Sequence, residues 1–488
     1  MSAPRTTALS DAPYVPSPEE SAAIARIKEL LGPKGWIDNP ADMEGNLIED
    51  RGIYHGRALL VAKPATTEEV SGVLKLCHEA GIPVVPQGGN TSLCGASVPF
   101  ETGNEIVLSL ARMNRIRSID PLNYTMTVEA GCVLQTLQEE ASKADRYFPL
   151  SLAAEGSCMI GGNLGTNAGG TNVLRYGNAR ELTLGIEVVL PDGRIWNGLG
   201  SLRKDNTGYD LKDLFIGSEG TLGVITAAVL KLFPKPRDIR TAFCAVRDID
   251  AALELLKRAR TESGDSVETF ELIPRLVIDL VLKHMPDCED PLETRYDMYT
   301  LIELVTTRDN DDGIEERFES ILGQAMEDGL ILDAALAQNE HQRQEIWKLR
   351  ENASESQKIE GASIKHDVSV PVASVPAFYK AAAEAVYKVN PDARIVAFGH
   401  MGDGNLHYNV QEPEGGDTKA FLKNWDAYNR AVHDVVVSFG GSISAEHGIG
   451  RLKREELAHY KNPVALDLMR TIKSAIDPKG IMNPGKVI

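Results

Sequence analysis

Gly156-Ser157-Cys158-Met159-Ile160-Gly161-Gly162-Asn163-Leu164-Gly165-Thr166-Asn167-Ala168-Gly169-Gly170 is the stretch whose reading decides the fold. Six of its fifteen residues are glycine and two are asparagine, a composition that predicts neither a stable helix nor a strand. A flexible surface loop is the bland reading, but Met159, Ile160 and Leu164 embed the segment in a globular region. Glycines remove Cβ atoms, so backbone N–H groups can approach a ligand closely, and Asn, Thr and Ser add neutral donors. Such a surface holds a phosphate or pyrophosphate without a cationic side chain.

A second glycine-rich turn, Gln87-Gly88-Gly89-Asn90-Thr91-Ser92, follows a short strand predicted at Ile82-Pro83-Val84-Val85-Pro86. Two separated glycine segments suit a long ligand gripped at two places, which fits FAD better than a mononucleotide. No G-x-G-x-x-G opens a helix after a strand, and no P-loop is present, which removes the main support for NAD on a Rossmann fold and for P-loop phosphoryl transfer.

Outward from these segments, Pro64-Ala65-Thr66-Thr67-Glu68-Glu69 caps a helix with apolar positions Val70, Val73, Leu74 and Cys77, ended by Gly81. Strand patterns lie over 106–110, 116–119 and 124–129, and a helix over 133–144. The strand 184–190 turns at Pro191-Asp192-Gly193 into 194–196, and a further strand starts at Val224. This is α+β alternation rather than a doubly wound rhythm. Pro234-Lys235-Pro236 reads as a linker and a domain boundary. Beyond it, charge and helical patterns increase, at 251–260, 313–328 and 339–360. The predicted division is an extension over 1–50, a cofactor domain over 51–236, a substrate domain over 237–430 and a C-terminal segment over 431–488.

With 488 residues the chain exceeds one hydrophobic core, and 43% apolar with 25% charged residues is ordinary globular composition. A net charge of −19 without a basic block argues against nucleic acid, and no apolar run reaches a membrane span. The first twenty residues resemble neither a secretory signal nor a transit peptide, and the six cysteines are scattered without a C-x-x-C pair. Together these features predict a bacterial-type cytoplasmic protein with reduced thiols and no integral membrane segment.

A third motif carries metal chemistry. His400-Met401-Gly402-Asp403-Gly404-Asn405-Leu406-His407 lies between the apolar run 395–398 and the alternating run 406–410, a hairpin pattern with its loop at Gly-Asp-Gly. The pattern predicts His400 and His407 opposite one another at the shoulders of the loop, within reach of one ion, with Asn409 on the face of His407. A lone H-x6-H is weak evidence, and a single strand histidine is more often structural. Ser444-Ala445-Glu446-His447-Gly448-Ile449-Gly450 adds a second His/Glu cluster. Two imidazoles and a carboxylate leave a coordination position open, as catalytic metal sites do.

These glycine and histidine motifs, with Ser201-Leu202-Arg203-Lys204-Asp205-Asn206-Thr207-Gly208-Tyr209-Asp210-Leu211, Gly217-Ser218-Glu219-Gly220-Thr221-Leu222-Gly223 and Asn483-Pro484-Gly485-Lys486, resemble in order the D-2-hydroxyglutarate dehydrogenase family. The likeness runs from about residue 50 to the C-terminus, within the FAD-linked oxidases of the vanillyl-alcohol oxidase type. It implies an α+β architecture: an FAD-binding domain of two subdomains, an α+β cap domain with an antiparallel sheet, and a small helical C-terminal segment. It implies contacts to FAD from Pro86, Gly88, Gly89, Asn90, Thr91, Ser92, Gly156, Ser157, Gly161, Gly162, Asn163, Thr166, Gly169, Ile225 and Asn483. FAD would be non-covalent, because a His of flavinylated relatives is replaced by Asn90. It implies Zn²⁺, or another divalent ion, on His400, His407 and Glu446. Substrate would be held by Arg350, Ser354, Lys365, Asn409 and His447, with Ser354 standing where the animal enzymes have Thr. Electron-transfer flavoprotein or a quinone is the implied acceptor, and a homodimer is common among relatives.

The implied chemistry oxidises a small 2-hydroxy acid, the C2 hydride leaving to flavin N5 and the hydroxyl proton to His447. Arg350 and Lys365 would hold a second carboxylate, which favours D-2-hydroxyglutarate over D-lactate or glycolate. Taken alone, Arg350 reads as part of a solvated helix face and Lys365 as a surface lysine. A zinc hydrolase could use the same ligands but has no need of the two glycine segments.

Overall fold

The computed structural model describes residues 14–309 and 313–488, so the first thirteen residues of the predicted extension lie outside it. The chain divides into two compact units: one built from 14–169, 177–234 and 446–488, the other from 170–176 and 235–445. Apart from the short segment 170–176, the chain changes unit twice, first after Pro234 within Pro234-Lys235-Pro236. The second change falls between Ala445 and Glu446, so the helix Trp425–Ser438 belongs to the second unit. The helix Pro18–Leu31 is part of the first unit, its Ala23, Ile27 and Leu31 packed with Leu60, Val70, Val73 and Leu74.

The first unit holds two larger sheets and a two-stranded antiparallel pair, Arg146–Tyr147 with Phe233–Pro234. In one, Leu60–Ala62, Ile106–Ser109 and Val84–Gln87 run parallel, with Trp36–Ile37 antiparallel at the edge. The helix Thr67–Ala80 starts at the Thr66 cap, whose side chain accepts from Glu69 N, and ends at Gly81 in the left-handed region at φ 73°. The other sheet is antiparallel, in the order Ile116–Asp120, Thr125–Glu129, Val224–Lys231, Thr183–Val189, Ile195–Gly198. The C-terminal tail joins the first sheet through a parallel bridge between Val84 and Met482.

The glycine-rich segment corrects its sequence reading, because Ile160–Thr166 is a helix. Tertiary contacts override the poor propensity. Ile160 and Leu164, four residues apart, are both fully buried, and the N–H groups of Ile160 and Gly161 bond to Cys132 and Ala130 carbonyls. Asn167, at φ 52°, ends it.

The second unit is built on one antiparallel sheet in the order Ile331–Leu336, Asp238–Val246, Met298–Thr306, Val267–Pro274, Arg394–His400, Asn405–Gln411, Ser363–Ile364, with Asp367–Ser369 also paired to Asn405–Gln411. The helical pattern over 339–360 is interrupted at Asn352 into Glu340–Glu351 and Ala353–Glu360. The hairpin at His400 is present, closed by a four-residue turn in which Gly404 has φ 84° and an added Cβ would lie 2.1 Å from Val370 O. Its register differs from the expectation: Phe398, not His400, is the direct partner of His407. All six cysteines are buried and none is in a disulfide, and no described helix is long and apolar enough to cross a membrane.

Candidate cofactor and substrate site

A cleft in the first unit encloses about 1330 Å³ of atom-free space, its mouth included. Its walls carry Pro86, Gly88, Gly89, Asn90, Thr91, Ser92, Gly161, Gly162, Asn163, Thr166, Gly169 and Ile225, so two segments some seventy residues apart in sequence form one surface. Gly156, Ser157 and Asn483 are not on the wall. Gly156 faces the Gln135 amide, and Ser157 O lies 2.2 Å from where a Gly89 Cβ would stand. Asn483 donates to the carbonyls of Ala96 and Glu219 at 3.0 and 2.8 Å, which ties the tail to the segments that build the cleft.

Backbone accounting separates the two glycine segments. The N–H groups of Ile160 through Asn163 are spent on the carbonyls of Cys132, Ala130 and Met159. Among the described residues, the five N–H groups from Gly88 to Ser92 have no hydrogen-bond partner. Backbone donors in such number seek an acceptor, and a pyrophosphate supplies several. Asn163 Oδ1, also buried in this wall, lacks a partner. The residues present therefore fit a dinucleotide cofactor, with unspent backbone donors at 88–92 and none at 160–163. Asn90 is fixed at φ 55°, its amide donating to Gly45 O and Ile48 O and its Oδ1 accepting from Ser97.

Glu446 and His447 line the same cleft, 3.7 Å apart between Oε1 and Nε2. The loop that follows them is held by Glu219, a residue sequence reasoning passed over. Its carboxylate accepts from Ile449 N at 2.7 Å and Gly450 N at 2.8 Å. Burial pushes the Glu219 carboxyl up to about 7, against the pull of those two N–H groups.

In the second unit the hairpin brings His400 and His407 together diagonally, their rings edge-to-face with centroids 5.6 Å apart. His400 Nδ1 bonds Glu271 Oε1 at 2.5 Å, and the other oxygen of Glu271 takes Arg350 Nε at 2.5 Å. Arg350 is thus no solvated helix residue: its side chain is 11% exposed, with the guanidinium over the Phe398 ring. The Glu271 side chain is fully buried. Burial alone would raise its pKa, but the Arg350 charge and the hydrogen bonds from His400 and Arg350 overcome that and hold it well below the usual carboxylate range. An acid in the apolar strand Val267–Pro274 was the available signal for Glu271. Asn409 is buried, its Oδ1 accepting from His366 N and its amide nitrogen donating to Gln357. Lys365 is half-buried, and Ser354 is exposed on Ala353–Glu360. Two imidazoles this close, one backed by a carboxylate, fit a divalent ion as two of its donors.

Residues 58–198 match the family model described as FAD binding domain, and residues 235–487 match FAD linked oxidases, C-terminal domain. The mitochondrial D-2-hydroxyglutarate dehydrogenase of Arabidopsis thaliana is 37% identical over 96% of this chain and 82% of its own length. The chain belongs to the D-2-hydroxyglutarate dehydrogenase family. The Bos taurus mitochondrial member is 38% identical over 97% of this chain and 84% of its own. Like the family, the chain is an FAD-linked oxidoreductase. Its fold is also that of a p-cresol methylhydroxylase structure with substrate bound, at TM-score 0.76 and 17% identity over 97% of each chain.

Proposed function

We propose that the chain oxidises D-2-hydroxyglutarate to 2-oxoglutarate with non-covalent FAD and one divalent ion, zinc as the first choice, on His400, His407 and Glu446. The observation that carries this reading is that His447 and Glu446 stand on the wall of the cofactor cleft itself. That position supports reading His447 as the proton acceptor and Glu446 as a metal donor in a flavin-linked oxidation. The chemistry FAD supplies when bound is acceptance of the C2 hydride at N5. A zinc ion held by the three donors would supply Lewis-acid polarisation of the substrate hydroxyl.

The chain's own residues supply the rest. His447 takes the hydroxyl proton, since imidazole as a class exchanges protons near neutral pH. Arg350 spends Nε on Glu271, while its two terminal nitrogens make no hydrogen bond among the described residues and can fork onto the distal carboxylate. Lys365 adds a second positive charge. Ser354 and Asn409 complete the substrate set, and Asn409 retains one amide N–H after Gln357 has taken the other. Electrons leave to an external carrier, electron-transfer flavoprotein or a quinone.

Anaerobic spectral titration against D- and L-2-hydroxy acids tests this reading. D-2-hydroxyglutarate should bleach the flavin at the lowest concentration. Stronger reduction by D-lactate or glycolate would assign a monocarboxylate substrate, and no reduction by any D-2-hydroxy acid would refute the reading as a whole.

A further inference from the structure

We propose that Glu271 is a positioning residue that couples the metal donor His400 to the substrate cation Arg350, so that one buried carboxylate orients both halves of the substrate site. The proposal rests on the metal and dicarboxylate parts of the proposed function. Glu271 lies on Val267–Pro274, where it is the direct register partner of His400 on Arg394–His400. Its two oxygens are divided, Oε1 to His400 Nδ1 and Oε2 to Arg350 Nε, each at 2.5 Å.

Two consequences follow from that division. A carboxylate accepting at Nδ1 draws the imidazole proton to that nitrogen and leaves the lone pair of neutral His400 on Nε2, the atom a metal needs. On the arginine, capture at Nε fixes the plane of the guanidinium and directs the terminal pair away from the carboxylate, the geometry for a bidentate carboxylate ligand. With Phe398 against the guanidinium at 4.8 Å, Arg350 is restrained from two sides. Neither group therefore has to be ordered when substrate arrives.

A buried carboxylate can also be purely structural, and the same sheet offers the comparison. Glu303, on Met298–Thr306, is 3% exposed and accepts from Arg343 Nε at 2.6 Å, Trp347 Nε1 at 2.8 Å and Thr241 Oγ1 at 2.7 Å. It has the burial and the arginine of Glu271, but no histidine.

The test compares wild type, Glu271→Gln, Glu271→Asp and Glu303→Gln as holoenzymes. Zinc retention is measured against graded chelator, together with KM for D-2-hydroxyglutarate and for D-lactate, flavin absorbance and thermal unfolding. Glu271→Gln should weaken zinc binding about 10- to 100-fold. It should also raise KM for D-2-hydroxyglutarate about tenfold more than KM for D-lactate, with FAD retained. Glu271→Asp keeps the charge but is one methylene too short to span both partners, so at least one of the two quantities should move about fivefold or more. Glu303→Gln should melt earlier with zinc affinity and both KM values unchanged. Wild-type zinc affinity and KM ratio in both Glu271 variants, or an equal zinc loss in Glu303→Gln, overturns the positioning role alone. A wild-type enzyme that turns over without retaining any divalent metal overturns the role and the metal reading together.

Discussion

The cleft wall contains two glycines whose replacement by alanine should act in opposite directions. A Cβ on Gly162 meets no protein atom within 4 Å, although the residue lines the cleft. A Cβ on Gly89 would lie 2.2 Å from Ser157 O and 3.0 Å from Cys158 Cα, inside any ordinary contact distance. Gly162 also sits inside the helix Ile160–Thr166, where alanine is preferred over glycine by up to about 1 kcal/mol. Gly162→Ala should therefore leave the apoprotein as stable as wild type or slightly more so. Its methyl group projects into space that the cofactor needs, and crowding of that size costs about 1–3 kcal/mol. Each 1.4 kcal/mol is a factor of ten in affinity, so Kd for FAD should rise about 5- to 150-fold. Gly89→Ala should instead destabilise the apoprotein by about 1–3 kcal/mol, because it wedges the 88–92 turn away from Ser157 before any ligand binds. Urea unfolding of the two apoproteins and fluorescence titration with FAD separate the effects. Wild-type FAD affinity in Gly162→Ala would refute the argument that this glycine is there for close approach of a ligand.

Three further outcomes follow from the same geometry. Arg350→Ala should raise KM for D-2-hydroxyglutarate by the worth of a charged hydrogen bond, about 1.5–3 kcal/mol, and KM for D-lactate far less; equal effects would remove the dicarboxylate argument. His400→Ala should abolish turnover and metal content while the protein stays yellow, as read by metal analysis beside the visible spectrum; full activity after exhaustive chelation would count against the ion. Glu219, whose folded pKa is raised from 4.5 to about 7, binds more protons folded than unfolded between those values. Its contribution is fully present below about pH 4.5 and is lost as pH rises through 7, amounting to a few kcal/mol. Denaturation at a series of pH values should show this slope in wild type, flattened in Glu219→Gln; identical slopes would mean that Glu219 stays ionised throughout.

What could be read without coordinates was local. The Thr66 cap, the Gly81 stop, the hairpin around 400–407 and the two glycine segments that line one cleft depend on neighbouring residues and on period. Hydrophobic alternation and turn chemistry act within a few residues, so those features are written in the chain. What the tertiary structure alone decided is where polar atoms find partners. The helix at Ile160–Thr166 is held by Cys132 and Ala130 carbonyls that receive its first N–H groups, so those groups are not available to a ligand while those at 88–92 are. His400 lies 129 residues from Glu271, and Ile449 lies 230 residues from Glu219. Residue type announces that a buried carboxylate needs donors, but only packing selects which donors reach it, because a hydrogen bond requires a few tenths of an ångström of accuracy across segments that sequence separation leaves unconstrained.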